Sequence, residues 1–71
     1  MTPQERSQFW ADMALSARHN AIVRREMAKQ WPAYAKADLA AATEMYLNGR
    51  LYLRHARAFK NMEDRHERHA A

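Results

Sequence analysis

The chain has 71 residues and a formal net charge of +4, and it contains one glycine, two prolines and no cysteine. This length fits one small domain rather than two independent cores, and the lack of thiols excludes a disulfide framework, a thiolate zinc site and thiol catalysis. Few turn-forming residues and an apolar content of 48% favour an all-helical protein over a sandwich or a barrel. Because charges are scattered through the first thirty residues, we expect no leader, no membrane-spanning segment and a cytoplasmic location.

The first helix is predicted from the signals at its two ends. Thr2, Pro3 and Glu5 stand where a capping box has its capping residue, its first-turn proline and its third-position glutamate. Trp31-Pro32 forms a tight corner, because proline moves the residue before it away from helical angles, so the helix is expected over residues 3–30. One broad face of this helix is predicted to build the core: Phe9, Trp10, Met13, Ala14, Ala17, Ala21, Ala28 and Trp31.

A second, longer helix is predicted over residues 33–65. The three- and four-residue spacing of its apolar positions continues through Asn48-Gly49 without a shift. This favours one continuous helix, with a close approach of the two helices at Gly49. The alternative is a turn at this pair, giving two shorter helices over residues 33–47 and 50–65. The core stripe of the continuous helix is predicted to contain Tyr34, Asp38, Ala41, Met45, Gly49, Tyr52, Ala56 and Phe59.

Apolar residues that a two-helix hairpin leaves in water predict a homodimer. Leu15 and Ile22 lie off the core face of the first helix, and Leu47 and Leu51 lie off that of the second. One partner helix cannot cover all of them. The sequence therefore predicts an all-α antiparallel hairpin that pairs with a second copy into a four-helix bundle, with these four residues at the dimer interface.

A side stripe of the second helix is the candidate partner site. Tyr46 lies among leucines and close to an arginine, a combination typical of an interaction hot spot, although burial in the dimer is the alternative. The predicted partner-binding residues are Leu39, Tyr46, Arg50, Leu53, Arg54 and Arg57. The three arginines, with His55 nearby, have three interpretations: a solvated outer face, a contact for an acidic protein surface, or a contact for nucleic-acid phosphates.

No catalytic, cofactor or metal site is predicted. His19 has no serine or carboxylate at a spacing that would complete a triad, and a single glycine cannot form a phosphate loop. Glu63, His66 and His69 have the helical spacing of metal ligands. They form a single motif in a charged tail, residues 62–71. Apolar residues no longer recur at helical spacing in this tail, so it is expected to fray and metal binding is not expected.

A resemblance covers the whole chain. It is carried by the capped first helix with Glu5-Arg6, Phe9-Trp10 and Met13, the Trp31-Pro32 corner, and a long alanine-rich helix with Tyr46, Leu53 and Arg54. In size and layout the chain resembles small two-helix proteins that bacteriophages encode early in infection, of the quorum-sensing anti-activator type. The resemblance implies a homodimeric hairpin that binds a host LuxR-type transcriptional regulator and blocks its DNA binding, with a pilus-assembly ATPase as an additional candidate target.

These observations together predict a protein-protein interaction module that acts as an inhibitor or adaptor without catalysis. Two alternatives stay open. A small basic nucleic-acid-binding protein would use the arginine row of the second helix, and its affinity would fall steeply with salt. A structural subunit of a larger assembly would associate beyond a dimer.

Overall fold

The protein is a two-helix hairpin. The computed structural model describes residues 1–70, with side chains described for residues 1–65. Helix α1 spans Pro3–Gln30, a 3-10 turn spans Pro32–Tyr34, and helix α2 spans Ala35–Ala70, with no strand among the described residues. The helices lie side by side in a rod 59 Å long and 14 by 13 Å across. The predicted all-α antiparallel hairpin is confirmed.

Helix α1 begins and ends where its capping residues predict. The Thr2 side-chain oxygen accepts a hydrogen bond from the Glu5 backbone N–H at 3.1 Å, which satisfies one of the unpaired donors of the first turn. Pro3 occupies the first helical position, where its missing N–H costs nothing. At the other end the Trp31 N–H donates to the Met27 carbonyl at 2.9 Å and closes the last turn.

Helix α2 is continuous through Gly49, so the alternative of two shorter helices is wrong. It begins at Ala35 rather than at residue 33, because the segment after Pro32 winds first as a tighter 3-10 turn. It also extends to Ala70, five residues beyond the predicted end at residue 65, since the loss of an apolar period ends packing against α1 without removing helix propensity. Fraying of residues 62–71 stays a prediction, and Ala71 lies outside the described residues.

Small residues line the seam between the two helices. They recur every seven residues on each helix and are buried or half-buried. The Ser7 hydroxyl donates to the Ala56 carbonyl at 2.8 Å, and a Cβ placed on Gly49 would lie 3.7 Å from the Ala14 carbonyl oxygen. Antiparallel packing continues this pairing along what we call the small-residue ladder: Ser7 with Ala56, Ala14 with Gly49, Ala21 with Ala42, and Ala28 with Ala35. Small side chains let the two backbones approach closely.

The ladder displaces several of the predicted core residues. Phe9, Met13, Trp31 and Tyr34 were expected in the core, yet all four are exposed, Trp31 at 52% and Tyr34 at 67%. With the backbones this close, large side chains do not fit between them and lie along the sides of the seam. Trp10 stays half-buried beside Tyr52, with ring centroids 5.4 Å apart.

One ion pair is built into the seam. The Asp38 side chain is 7% exposed, and its Oδ1 accepts a hydrogen bond from Arg24 Nη1 at 3.1 Å. A buried carboxylate needs such a partner, because desolvation without one is costly. Asp38 therefore belongs to the core stripe as predicted, held there by an arginine of the other helix.

Replacing Gly49 by alanine is expected to stabilise the hairpin. The added Cβ would lie 3.5 Å from the Ala17 Cβ, an ordinary van der Waals distance. The variant then gains helix propensity of about 1 kcal/mol, which corresponds to a rise of roughly 4–8 °C in Tm for a domain of this size. Urea and thermal unfolding followed by circular dichroism measure both quantities. A lower unfolding midpoint for Gly49→Ala would show that close packing of the two helices requires a residue without a side chain at this position.

Candidate functional site

An apolar groove runs along one side of the seam. It has a volume of about 400 Å³, and small residues of the ladder form its floor. Leu15 of α1 and Tyr46 and Leu53 of α2 form its walls. The apolar side chain of Leu15 is 65% exposed. The groove therefore presents apolar surface that the hairpin itself does not cover.

The same side of the hairpin continues toward the corner. A second depression there is lined by Ile22, Arg25, Glu26, Lys29 and Leu39, over Ala28 and Ala35. Ile22 follows Leu15 by seven residues, and Tyr46 follows Leu39 by seven, so each pair lies in line on its helix. We call this side the front face. Its apolar members are Leu15, Ile22, Leu39, Tyr46 and Leu53.

The predicted partner-binding residues are only partly brought together. Tyr46, Arg50 and Leu53 line the groove, and Leu39 continues their line toward the corner. Arg54 and Arg57 are exposed but do not line it, and Arg54 is turned about 100° from Leu53 around the helix. The ring of His55 lies 4.8 Å from that of Trp10, so this histidine packs against α1 instead of joining the arginines.

The predicted dimer residues divide into two groups. Leu15 and Ile22 belong to the front face, beside the residues predicted for the partner. Leu47 and Leu51 are exposed on α2 and line neither depression of that face. The interface prediction itself stays untested, but its four residues do not form one surface.

Arginines flank the front face. Arg18 and Arg50 line the groove, and the Arg25 guanidinium lies over the Tyr46 ring at 5.3 Å from its centroid. Among the side chains of residues 1–65, the ion pairs are Arg24 with Asp38 and Lys29 with Glu26. Glu26 and Lys29, which also line this face, pair with each other. The three front-face arginines therefore have no carboxylate partner within the described part of the chain, and the face has a net positive charge.

The opposite side of the hairpin, which we call the back face, is apolar and nearly uncharged. Its depressions are lined by large side chains together with serine and asparagine, and the Arg24–Asp38 pair neutralises itself. The large members are Met13, Met27, Trp31, Tyr34, Met45 and Tyr52. The sequence prediction missed this surface because it assigned five of these six residues to the core.

Arg18 and Arg25 are the front-face residues that sequence reasoning did not assign to a site. A signal for them exists, because leucine or isoleucine alternates with arginine in the order Leu15, Arg18, Ile22 and Arg25. Steps of three and four place all four on one side of α1. The front face of α1 thus repeats the pattern of apolar and basic residues that Tyr46, Arg50 and Leu53 form on α2.

No metal site is found among the described side chains, where no group of three histidine, aspartate or glutamate residues comes together. The side chains of His66 and His69, which have ligand spacing with Glu63, lie outside the described residues. Within the described chain, neither helix has a stretch long and apolar enough to cross a membrane.

Fold and surface together define a small helical hairpin with one basic and one neutral apolar face. No family model, curated protein or solved structure matches this chain. The resemblance to phage anti-activators therefore stays a prediction.

Proposed function

We propose that this chain is a protein-protein interaction module that holds an apolar segment of a partner protein in the front-face groove. The observation that carries the proposal is the groove itself, where the exposed Leu15 and Leu53 and the half-buried Tyr46 stand over a floor of small residues. Exposed apolar surface at a folded chain's groove is costly unless something covers it. Arginine and tyrosine at its edge are the residue types that contribute most to binding energy at protein interfaces.

The partner we propose is a bacterial host protein, and the chain acts on it as a phage-type inhibitor. The resemblance supports a LuxR-type transcriptional regulator whose DNA binding is blocked, with a pilus-assembly ATPase as an additional target. A chain of 71 residues can inhibit a larger protein by covering one of its surfaces, which needs no catalysis. The host cytoplasm is the place where such a regulator would be met.

We further propose a homodimer, formed through the back face. Two front faces brought together would place the unpaired Arg18, Arg25 and Arg50 of each copy against like charges. The back face carries large apolar side chains without net charge, and a second copy is a suitable cover for it. This arrangement leaves both grooves of the dimer free for partners. An interface through Leu15, Ile22, Leu47 and Leu51 is the alternative.

The groove is tested with a pair of matched double variants. Tyr46→Ala with Arg50→Glu removes an anchor and a charge from the groove, whereas Leu47→Ala with Arg54→Glu makes similar changes outside it. The assay is release of a purified LuxR-type regulator from labelled operator DNA. We expect the groove variant to lose release by about 100-fold, as for two hot-spot residues, and the control to keep it.

Capture from nuclease-treated bacterial lysate extends this test to other partners. A host protein retained by the native chain and the control, but lost with the groove variant, is the expected result. Equal retention by both variants would contradict a role for the groove. Loss of all bound material after nuclease treatment would instead favour the nucleic-acid alternative, in which Arg50, Arg54 and Arg57 contact phosphates and affinity falls steeply with salt.

A further inference from the structure

We infer that the front face takes an acidic amphipathic helix of the partner protein, lying along the hairpin as a third helix. This inference rests on the proposed function and adds the chemistry of the bound segment. The spacing of the apolar walls and the position of the unpaired arginines support such a guest independently of each other.

The apolar walls repeat at helical distances. Leu15 and Ile22 on α1, and Leu39, Tyr46 and Leu53 on α2, are each seven residues apart. Seven residues of helix rise about 10.5 Å, which is the repeat of an amphipathic helix with apolar residues at every third and fourth position. An extended peptide, which rises about 3.3 Å per residue, does not have this repeat. The walls therefore match a helix as guest.

The length of the front face sets the length of the guest. The α2 wall runs for fourteen residues from Leu39 to Leu53, which corresponds to about 21 Å of helix. A parallel or antiparallel guest of about fourteen residues, or four turns, would cover it. Apolar residues of such a guest would lie over Gly49 and the alanines of the ladder floor. Because these side chains are small, a third helix can approach the two backbones closely there.

The charges select an acidic guest. Arg18 and Arg25 are seven residues apart on the α1 wall, so both meet the same side of a helix lying in the groove. Arg50 stands on the α2 wall and meets the other side. Glutamates flanking the apolar stripe of the guest would pair with these arginines, as charges flanking a coiled-coil seam do. A basic guest would instead place like charges together at each wall.

The same observations disfavour a second copy of this chain and nucleic acid as occupants of the front face. A second copy would bring its own arginines to the front face, where the carboxylate that lines it among the described side chains, Glu26, is already paired with Lys29. Nucleic acid would satisfy the arginines, but it would leave Leu15 and Leu53 against a polar backbone. An acidic amphipathic helix satisfies the charges and covers the leucines.

Three designed helical peptides test the inference on the full chain. Each has 21 residues: one has leucines along one stripe with flanking glutamates, one has lysines in place of the glutamates, and one keeps the glutamates but has serines in place of the leucines. Affinities are measured by fluorescence anisotropy at physiological salt. We expect the glutamate-leucine peptide to bind at least about 30-fold more tightly than either of the others, from paired charges and buried leucines together.

Charge reversal supplies the matched control. Arg18→Glu with Arg50→Glu should reverse the preference, so that the lysine peptide binds more tightly than the glutamate-leucine peptide. Arg54→Glu with Arg65→Glu makes the same change in net charge at exposed residues that do not line the front face, and should keep the native order. Circular dichroism of each variant confirms that helicity is unchanged.

Several outcomes would overturn the inference. Equal binding of the serine peptide would show that the arginines attract any polyanion, and failure of Arg18→Glu with Arg50→Glu to reverse the order would place the peptide elsewhere. A shift in the monomer-dimer equilibrium of that variant would show that a second copy occupies the front face. If the designed peptides fail while the regulator is still released in a Tyr46-dependent way, the proposed function stands and only the acidic helix is wrong.

Discussion

Replacing Ala21 by leucine is expected to remove much of the stability of the hairpin. Ala21 is 0% exposed at the centre of the small-residue ladder, and three additional carbon atoms there require the helices to move apart. Overpacking of this kind costs about 1–3 kcal/mol or more, whereas a domain of this size has a stability of roughly 3–5 kcal/mol. The variant should unfold at a markedly lower temperature, by roughly 4–8 °C for each kcal/mol lost, measured by circular dichroism at 222 nm.

Ala58→Leu is the matched control for this change. Ala58 is an exposed alanine of α2, and leucine has almost the helix propensity of alanine. Its unfolding free energy should stay within about 0.5 kcal/mol of the native value. A native-like unfolding midpoint for Ala21→Leu would contradict a seam that is closed by small residues along its length.

Replacing Trp31 and Tyr34 by serine is expected to convert the proposed dimer into monomers. Both side chains are exposed on the back face, and neither is needed to close the small-residue ladder. Aromatic anchors account for a large share of the binding energy of an interface, so the loss of these two should weaken self-association by about 100-fold or more. Sedimentation equilibrium over a range of concentrations measures the dissociation constant of the dimer.

Two further double variants decide between the interfaces. Leu15→Ser with Ile22→Ser removes exposed apolar residues from the front face, and Leu47→Ser with Leu51→Ser removes them from the outer side of α2. Neither pair should change the dimer if the back face forms it. Dissociation caused by either of them, with Trp31→Ser and Tyr34→Ser without effect, would support the interface predicted from the sequence. A native chain that is monomeric at every concentration would contradict the dimer.

The helix boundaries were largely predictable because local chemistry determines them. Thr2 and Pro3 satisfy or remove the unpaired donors of the first turn, and Pro32 ends the helical run whatever lies across the hairpin. Continuity through Gly49 also followed from a local pattern, the unbroken apolar phase. The helix end near residue 65 was wrong because an amphipathic pattern reports where a helix packs, and the helix itself continues beyond that point.

The composition of the core was predictable only in part. Ala14, Ala21 and Ala28 were placed on the core face correctly, but Trp31 and Tyr34 were placed there with them. Apolar periodicity does not say whether a seam is closed by small residues or by large ones. A seam closed by small residues is indicated by the recurrence of small residues every seven positions on both helices. This pattern becomes apparent only when the two helices are compared with each other.

The candidate site shows the same limit. Leu39, Tyr46 and Leu53 were recognised as a stripe because they lie on one helix at a fixed spacing. Leu15 and Ile22 were assigned to another surface, since the rotation of α1 relative to α2 follows from their packing and not from either pattern by itself. The pairing of Ser7 with Ala56 and of Ala14 with Gly49 sets that rotation and brings all five onto one face.

The regularity of the ladder has a consequence for how the chain selects its alignment. Because small residues recur every seven positions on both helices, sliding α2 by seven residues along α1 would again place small residues opposite small ones over most of the seam. The seam thus fixes the spacing of the helices without choosing between registers. The choice falls to the short Trp31–Tyr34 connection, which leaves no slack for a shift, and to the Arg24–Asp38 pair, which a slide would break. The corner therefore determines the register of the whole hairpin. With a longer connection, two copies of this chain could exchange helices along the same ladder and form a domain-swapped dimer.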